Sequence, residues 1–334
     1  MNYFKHILLS RTDSIGDVVL TLPMAGVIKE KYPNCKISFL GKTYTKDVVT
    51  LSKHVDEFIN YDELLHLSLN ERVTFINQLN VDVVVHVFPV KDIAHLFSQS
   101  NSKIKIGTKS RLYHWFTCNK IINLKRKNSN FHEAQLNIKL LSKIGISFNK
   151  PLNEIYNYYG FENTPILEEK FKSLIDSSKI NIILHPKSKG SAREWGVENY
   201  LKLISNLPTN KFKIFISGTK DEALLMPELV QHPSVTSIAG LFSLQQFIAF
   251  INSADVLVAA STGPLHIAAA LNKKAIGLFS PMRPIFPTRW APLGKKAVFL
   301  VKKQICDNCL KSNNCECIKS ISVLEVLKEI ENDK

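Results

Sequence analysis

Three features predict an α/β protein built of two doubly wound halves. Short apolar, β-branched runs alternate with helix-period segments along nearly the whole chain, the pattern of strands joined by crossover helices. A stretch with Pro151, Gly160 and Pro165 and little periodicity, residues 149–165, separates two such series. The chain has 334 residues, more than one core usually holds, so two domains are expected. The expected limits are 1–160 for the first domain, 161–320 for the second, and 321–334 for a C-terminal helix packing back on the first.

In the first half, strands are expected at 7–10, 36–40, 57–59 and 81–85. Between them lie helices near 18–31, 44–53 and 69–79, the first ended by Tyr32-Pro33-Asn34. A further amphipathic helix opens at Phe131-His132-Glu133 and runs to about 144. Parallel doubly wound sheets bind ligands beyond their C-terminal strand ends. The loop Arg11-Thr12-Asp13-Ser14-Ile15-Gly16-Asp17 lies at such an end. It carries a single glycine, so the three-glycine dinucleotide fingerprint is absent. Gly41-Lys42-Thr43 mimics the end of a phosphate-binding loop, but position 36 is lysine where glycine is required. Asp17 suits a helix cap and equally a general base at a cleft.

The second half opens with a helix near 166–177 and continues with strands at 180–184, 212–216, 235–238, 256–258, 275–279 and 298–301. Helices near 244–252 and after Gly263 are the crossovers. Polar, glycine or aromatic residues follow each of the first four strands: Lys187, Ser188, Lys189 and Arg193; Ser217, Gly218 and Glu222; Gly240 and Phe242; Ser261, Thr262 and Gly263. Val256-Leu257-Val258 leads into Ser261 and Thr262, good N-caps, with Pro264 suited to a first helical turn. A helix start of this kind offers free backbone N–H groups to an anion, phosphate above all. Lysines, an arginine and hydroxyls suit a diphosphate, a carboxylate a ribose, and a phenyl face a base. The two halves thus predict a pair of Rossmann-like domains facing one cleft.

The formal net charge of +14 points to an anionic partner. Eight lysines and arginines and no acidic residue lie between Asn101 and Asn130, Lys109 and Arg111 among them. This is either a solvated face or a surface for an anionic acceptor or lipid headgroups. No run of about 18 apolar residues and no signal-peptide pattern occurs, so a cytoplasmic protein with reduced cysteines is expected, peripheral at the inner face of the inner membrane if its acceptor is a lipid. Cys306, Cys309, Cys315 and Cys317 form C-x2-C-x5-C-x-C. The first pair has zinc spacing; the rest departs from a zinc ribbon, and reduced thiols fit as well.

Three markers in order resemble glycosyltransferase family 9, the heptosyltransferase type that builds lipopolysaccharide. They are Arg11 through Pro23, His185-Pro186 through Arg193-Glu194-Trp195, and Ser261-Thr262-Gly263-Pro264-Leu265-His266-Ile267-Ala268-Ala269-Ala270. The resemblance implies the GT-B fold and an inverting glycosyltransferase needing no cofactor or metal. It implies an acceptor-binding first domain, with Arg11, Asp13, Lys109 and Arg111 as acceptor contacts and Asp17 as catalytic base. It places a nucleotide-sugar donor such as ADP-heptose in the second domain, held by Ser188, Lys189, Arg193, Glu222, Phe242, Ser261, Thr262, Gly263, Pro264, Leu265 and His266. The implied partner is an anionic glycolipid, the lipopolysaccharide core, at the membrane surface. Ser261 departs from the acidic residue many members carry before Thr-Gly, which bears on the identity of the sugar. A nucleotide-sugar epimerase shares the two-domain fold and would convert a sugar without an acceptor. A basic nucleic-acid-binding protein with cysteine-bound zinc also fits the charge, but no DNA or RNA motif supports it.

Overall fold

The computed structural model describes residues 4–126, 129–147, 149–303, 309 and 316–332. The chain divides into two compact units, Met1–Asn163 and Thr164–Lys334.

The first unit is a six-stranded parallel sheet of β1 (His6–Ser10), β2 (Lys36–Gly41), β3 (Glu57–Asn60), β4 (Val83–His86), β5 (Ile104–Thr108) and β6 (Lys120–Ile122), in the order β3-β2-β1-β4-β5-β6. Ile7, Leu8, Leu9, Val83, Val84 and Val85 are fully buried, because a central parallel strand has helices on both faces and must be apolar on both. The chain winds one way from β1 to β3 and the other way from β4 to β6. The crevice of this sheet therefore opens between the ends of β1 and β4, where Ser10 pairs with His86.

Two expectations for this unit are corrected. The single helix over 18–31 is two, Ile15–Val19 and Pro23–Lys31, because Pro23 lacks an N–H and starts a helix instead of continuing one. Ser14, not Asp17, is the N-cap of the first, which sets Asp17 inside its opening turn. The aperiodic stretch 149–165, where the domain boundary was expected, holds the limit between the units, and the part before residue 163 packs on the first. A 3₁₀ segment, Leu152–Tyr158, packs on helix Pro23–Lys31 so closely that a Cβ at Gly26 would overlap the Tyr158 carbonyl. Phe161 then bridges to Ser52.

The second unit repeats the design with β7 (Ile180–His185), β8 (Phe212–Ile216), β9 (Val235–Ser237), β10 (Val256–Ala260), β11 (Lys274–Phe279) and β12 (Ala297–Val301), all parallel in the order β12-β11-β10-β7-β8-β9. Its crevice opens between β7 and β10, where Ala259 pairs with His185. The helix expected at 166–177 is only Glu169–Lys172.

The last helix, Val323–Glu331, was expected on the first domain and instead completes the core of the second. Val326 and Ile330 are buried in one cluster with Trp195 and Tyr200. Trp195 Nε1 donates to the Ile321 carbonyl at 2.9 Å, and Asn199 donates to the Lys319 carbonyl at 2.8 Å. Its apolar stripe packs on helix Val197–Ser205. Among the described residues no helix is long and apolar enough to cross a membrane.

Candidate active site

The loop after β1 is built on a buried arginine. Arg11 is 3% exposed and donates to Asp13 through Nε at 2.7 Å and Nη2 at 3.0 Å, and also to Asp17. Its Nη1 reaches Glu133 at 3.2 Å, Thr21 at 3.3 Å and Asn137 at 3.3 Å. Glu133, only 1% exposed, also receives Arg126, whose Nη2 donates to the Val87 carbonyl at 3.1 Å. Burial works against charge on Arg11, but Asp17, Asp13 and Glu133 together outweigh it and raise its pKa above the usual arginine value. Burial pushes the Asp13 carboxyl up, against the pull of Arg11.

Arg11 was expected to touch an acceptor. It is buried with its donors spent on this network, so it positions carboxylates instead. Asp17, like Asp13, is partly open, its side chain 20% exposed, held by Arg11 on one oxygen and by the Ser14 hydroxyl on the other. Tyr44 closes over the loop, its hydroxyl donating to the Asp13 carbonyl at 2.6 Å. Lys109 and Arg111 lie apart from this constellation, exposed on the loop after β5, two strands from β1.

In the second unit the loops after β7 and β10 flank the crevice. Glu194 braces the first of them. One of its oxygens accepts from Ser188 N at 3.0 Å and Ser188 Oγ at 3.1 Å, and the other from Lys187 at 3.2 Å. Ser188, expected to face a donor, is buried and spent on this brace. Lys189 is exposed at a left-handed turn, φ 49°, followed by Gly190 at φ 78°. Arg193 Nη2 donates to the Cys309 carbonyl at 3.0 Å, so this side chain also ties the loop to the C-terminal segment. Glu222 is in a capping box with Thr219, accepting from its N–H at 2.8 Å. The β8 and β9 loops are joined by Gly240 N donating to the Gly218 carbonyl at 2.8 Å. Phe242 is half-buried among Phe171, Phe247 and Phe250.

Thr262 caps helix Gly263–Ala270 in extended geometry without using its side chain, and its buried hydroxyl has no hydrogen-bond partner among the described residues. A buried unpaired hydroxyl is costly unless a ligand satisfies it, and here it lies at a helix start inside the crevice. Ser261, Gly263 and Pro264 are half-exposed beside it, while Leu265 and His266 are buried on the sheet side.

Two buried histidines were not singled out in the sequence as chemistry-bearing groups. His86 is fully buried at the end of β4, stacked on His114 at 5.5 Å, with neither ring nitrogen hydrogen-bonded among the described residues. Burial, with His114 and Lys105 adding, holds its pKa down to about 3. His185, at the end of β7 with Nδ1 2.9 Å from Ser217 Oγ, is held down to about 4 by burial, with Glu222 and Glu194 opposing. Both fold neutral and would take a proton near pH 6.5 only when unfolded. Their stabilisation is present above pH 6.5 and is lost as pH falls towards 4. Each should cost about 2 kcal/mol by pH 5. Urea unfolding at pH 7 and pH 5 checks this: His86→Phe should flatten the pH dependence, and an unaltered dependence would contradict it.

Of the proposed zinc ligands, Cys306 and Cys315 lie outside the described residues. Cys309 and Cys317 are buried with their sulfurs 3.5 Å apart. Among the described residues no cluster of three or more His, Cys, Asp or Glu could hold a metal ion.

A parallel α/β unit with a carboxylate at its crevice, and a second with a phosphate-type helix start, are the parts of a nucleotide-sugar transferase. The family model for glycosyltransferase family 9 (heptosyltransferase) matches residues 92–319. The chain therefore belongs to glycosyltransferase family 9 and is a glycosyltransferase. It is 24% identical over 296 residues to the lipopolysaccharide core heptosyltransferase OpsX of Haemophilus influenzae, covering 84% of this chain and 80% of that one. A family 9 glycosyl transferase structure from Veillonella parvula superposes with a TM-score of 0.76 at 21% identity, covering 98% and 97% of the two chains. The structure of the E. coli ADP-heptose lps heptosyltransferase II does so with a TM-score of 0.74 at 17% identity, covering 98% and 97%. These likenesses establish the GT-B class, two Rossmann-like domains.

Proposed function

We propose that the protein transfers a heptosyl unit from ADP-heptose onto a lipopolysaccharide core acceptor with inversion at the anomeric carbon, Asp17 acting as general base. The observation that carries this is the Asp17 carboxylate, partly open at the β1–β4 crevice and oriented by buried Arg11 and by Ser14. Asp17 takes the proton of the acceptor hydroxyl as that oxygen forms its bond to the anomeric carbon. The bond from that carbon to the diphosphate oxygen breaks on the opposite face, and ADP leaves with the electron pair. Thr262 and the N–H groups opening helix Gly263–Ala270 receive the developing diphosphate charge, so that no metal is required. Lys189 and Arg193 add positive charge from the β7 loop, Glu222 contacts the ribose and Phe242 the base. His266, buried, supports the helix. Asp13, Lys109 and Arg111 take the acceptor side.

Support for the sugar and acceptor comes from the relatives: OpsX is a lipopolysaccharide core heptosyltransferase, and the E. coli protein is an ADP-heptose lps heptosyltransferase. Incubating the protein with ADP-heptose and a core glycolipid lacking heptose should give a product heavier by one heptosyl unit, with chelator present or absent. Transfer from another nucleotide sugar, with none from ADP-heptose, would overturn the donor assignment; Ser261 would then be the first residue to examine.

A further inference from the structure

We propose that the loop and short helix at residues 109–117 dock on a bilayer surface of anionic phospholipid. Leu112 is 81% exposed, Trp115 52% and Phe116 88%, three large apolar side chains within five residues. They are not loosely displayed. Trp115 N donates to the Leu112 carbonyl at 3.0 Å and Phe116 N to the Tyr113 carbonyl at 3.2 Å, one tight turn. Between the exposed residues, His114 is fully buried, accepts from Thr108 N at 2.9 Å and stacks on His86. The inward side chain pins the segment, and the outward ones are left in water. Such exposed apolar groups need a covering partner.

Charge selects the partner. Lys109, Arg111 and Lys120 are exposed here, Lys109 Nζ lying 5.9 Å from the Trp115 ring centre, and residues 101–126 contain no Asp or Glu. Apolar side chains ringed by cations match a bilayer whose headgroups are anionic and whose next layer is hydrocarbon. The Trp115 indole N–H donates to the Lys109 carbonyl at 3.3 Å, so the ring can enter the interface with its polar atom satisfied. Lys109 and Arg111 are shared with the acceptor side proposed above, but Leu112, Trp115 and Phe116 are not, and the test of this surface involves no turnover.

The full chain is sedimented with phosphatidylcholine vesicles and with vesicles containing phosphatidylglycerol. Binding to the anionic vesicles should be stronger by about tenfold and should weaken with salt. The pair Trp115→Ser and Phe116→Ser should lower it by about tenfold, with thermal melting unchanged. Should that pair melt early, Lys109→Gln with Arg111→Gln, both on exposed side chains, carries the same test on the anionic vesicles. Leu224→Ser, at an exposed leucine of the other unit, should bind as wild type. Absence of wild-type binding to anionic vesicles, or undiminished binding by folded variants, would overturn the proposal. So would loss of self-association in the aromatic variant with vesicle binding intact, which would make the patch a protein interface.

Discussion

Replacing Asp17 by Asn should lower turnover by about 10³-fold, the range expected when a positioned general base is removed, while ADP affinity measured by calorimetry stays at the wild-type level. The substitution keeps the size of the side chain while replacing the carboxylate by a neutral amide, which cannot take up the acceptor's proton and which also gives up the charge facing Arg11. The diphosphate site proposed around Thr262 lies on the other unit's sheet, so its affinity should be untouched. Wild-type turnover in Asp17→Asn would move the base elsewhere. Asp13, its side chain 19% exposed and chelated by Arg11, would then be the next carboxylate to test.

Arg11→Met should destabilise the fold by about 3–5 kcal/mol, the cost of breaking a buried charge cluster from one side. Without the guanidinium, Glu133 at 1% exposure loses one of its cationic partners, and Asp13 and Asp17 lose the charge that holds them together. Turnover should also fall, since one oxygen of Asp17 is no longer fixed. Glu133→Gln in the Arg11→Met background should restore part of the stability, because it neutralises a buried carboxylate that has lost the Arg11 cation; urea unfolding of the two single variants and the double variant measures the coupling. A loss below about 1 kcal/mol, the scale of exposed ion pairs, would mean that the cluster does not organise the loop.

The parts of this design that are local in the chain were legible in the sequence, and the parts that depend on distant partners were not. Strands β1 and β10 announce themselves by continuous apolar runs, and the helix start at Thr262 by its hydroxyl, glycine and proline in succession. Strands β5 and β6 were missed. β6 is the edge strand and β5 its neighbour, where Lys105 and Lys120 break the apolar pattern that a central strand would need, and the whole basic segment therefore resembled a solvated face. The role of Arg11 was misjudged for a different reason. Its partners Glu133 and Asn137 come from a helix more than a hundred residues away, and nothing near Arg11 signals that it will be buried. Ser188 follows the same logic on a shorter scale: its N–H and hydroxyl donate to Glu194 and Ala192 only once the loop has closed. The last helix shows amphipathic spacing but not which apolar surface it will cover.

The central claim, inverting heptosyl transfer by the Asp17 unit, is tested most directly by the anomeric configuration of the product. Wild-type protein is incubated with ADP-heptose of known anomeric configuration and the core acceptor, and the new glycosidic linkage is assigned by NMR. A single linkage of the opposite configuration to the donor is the predicted result, since one carboxylate base supports one displacement. A product that retains the donor configuration, or ADP released with no sugar on the acceptor, would contradict it.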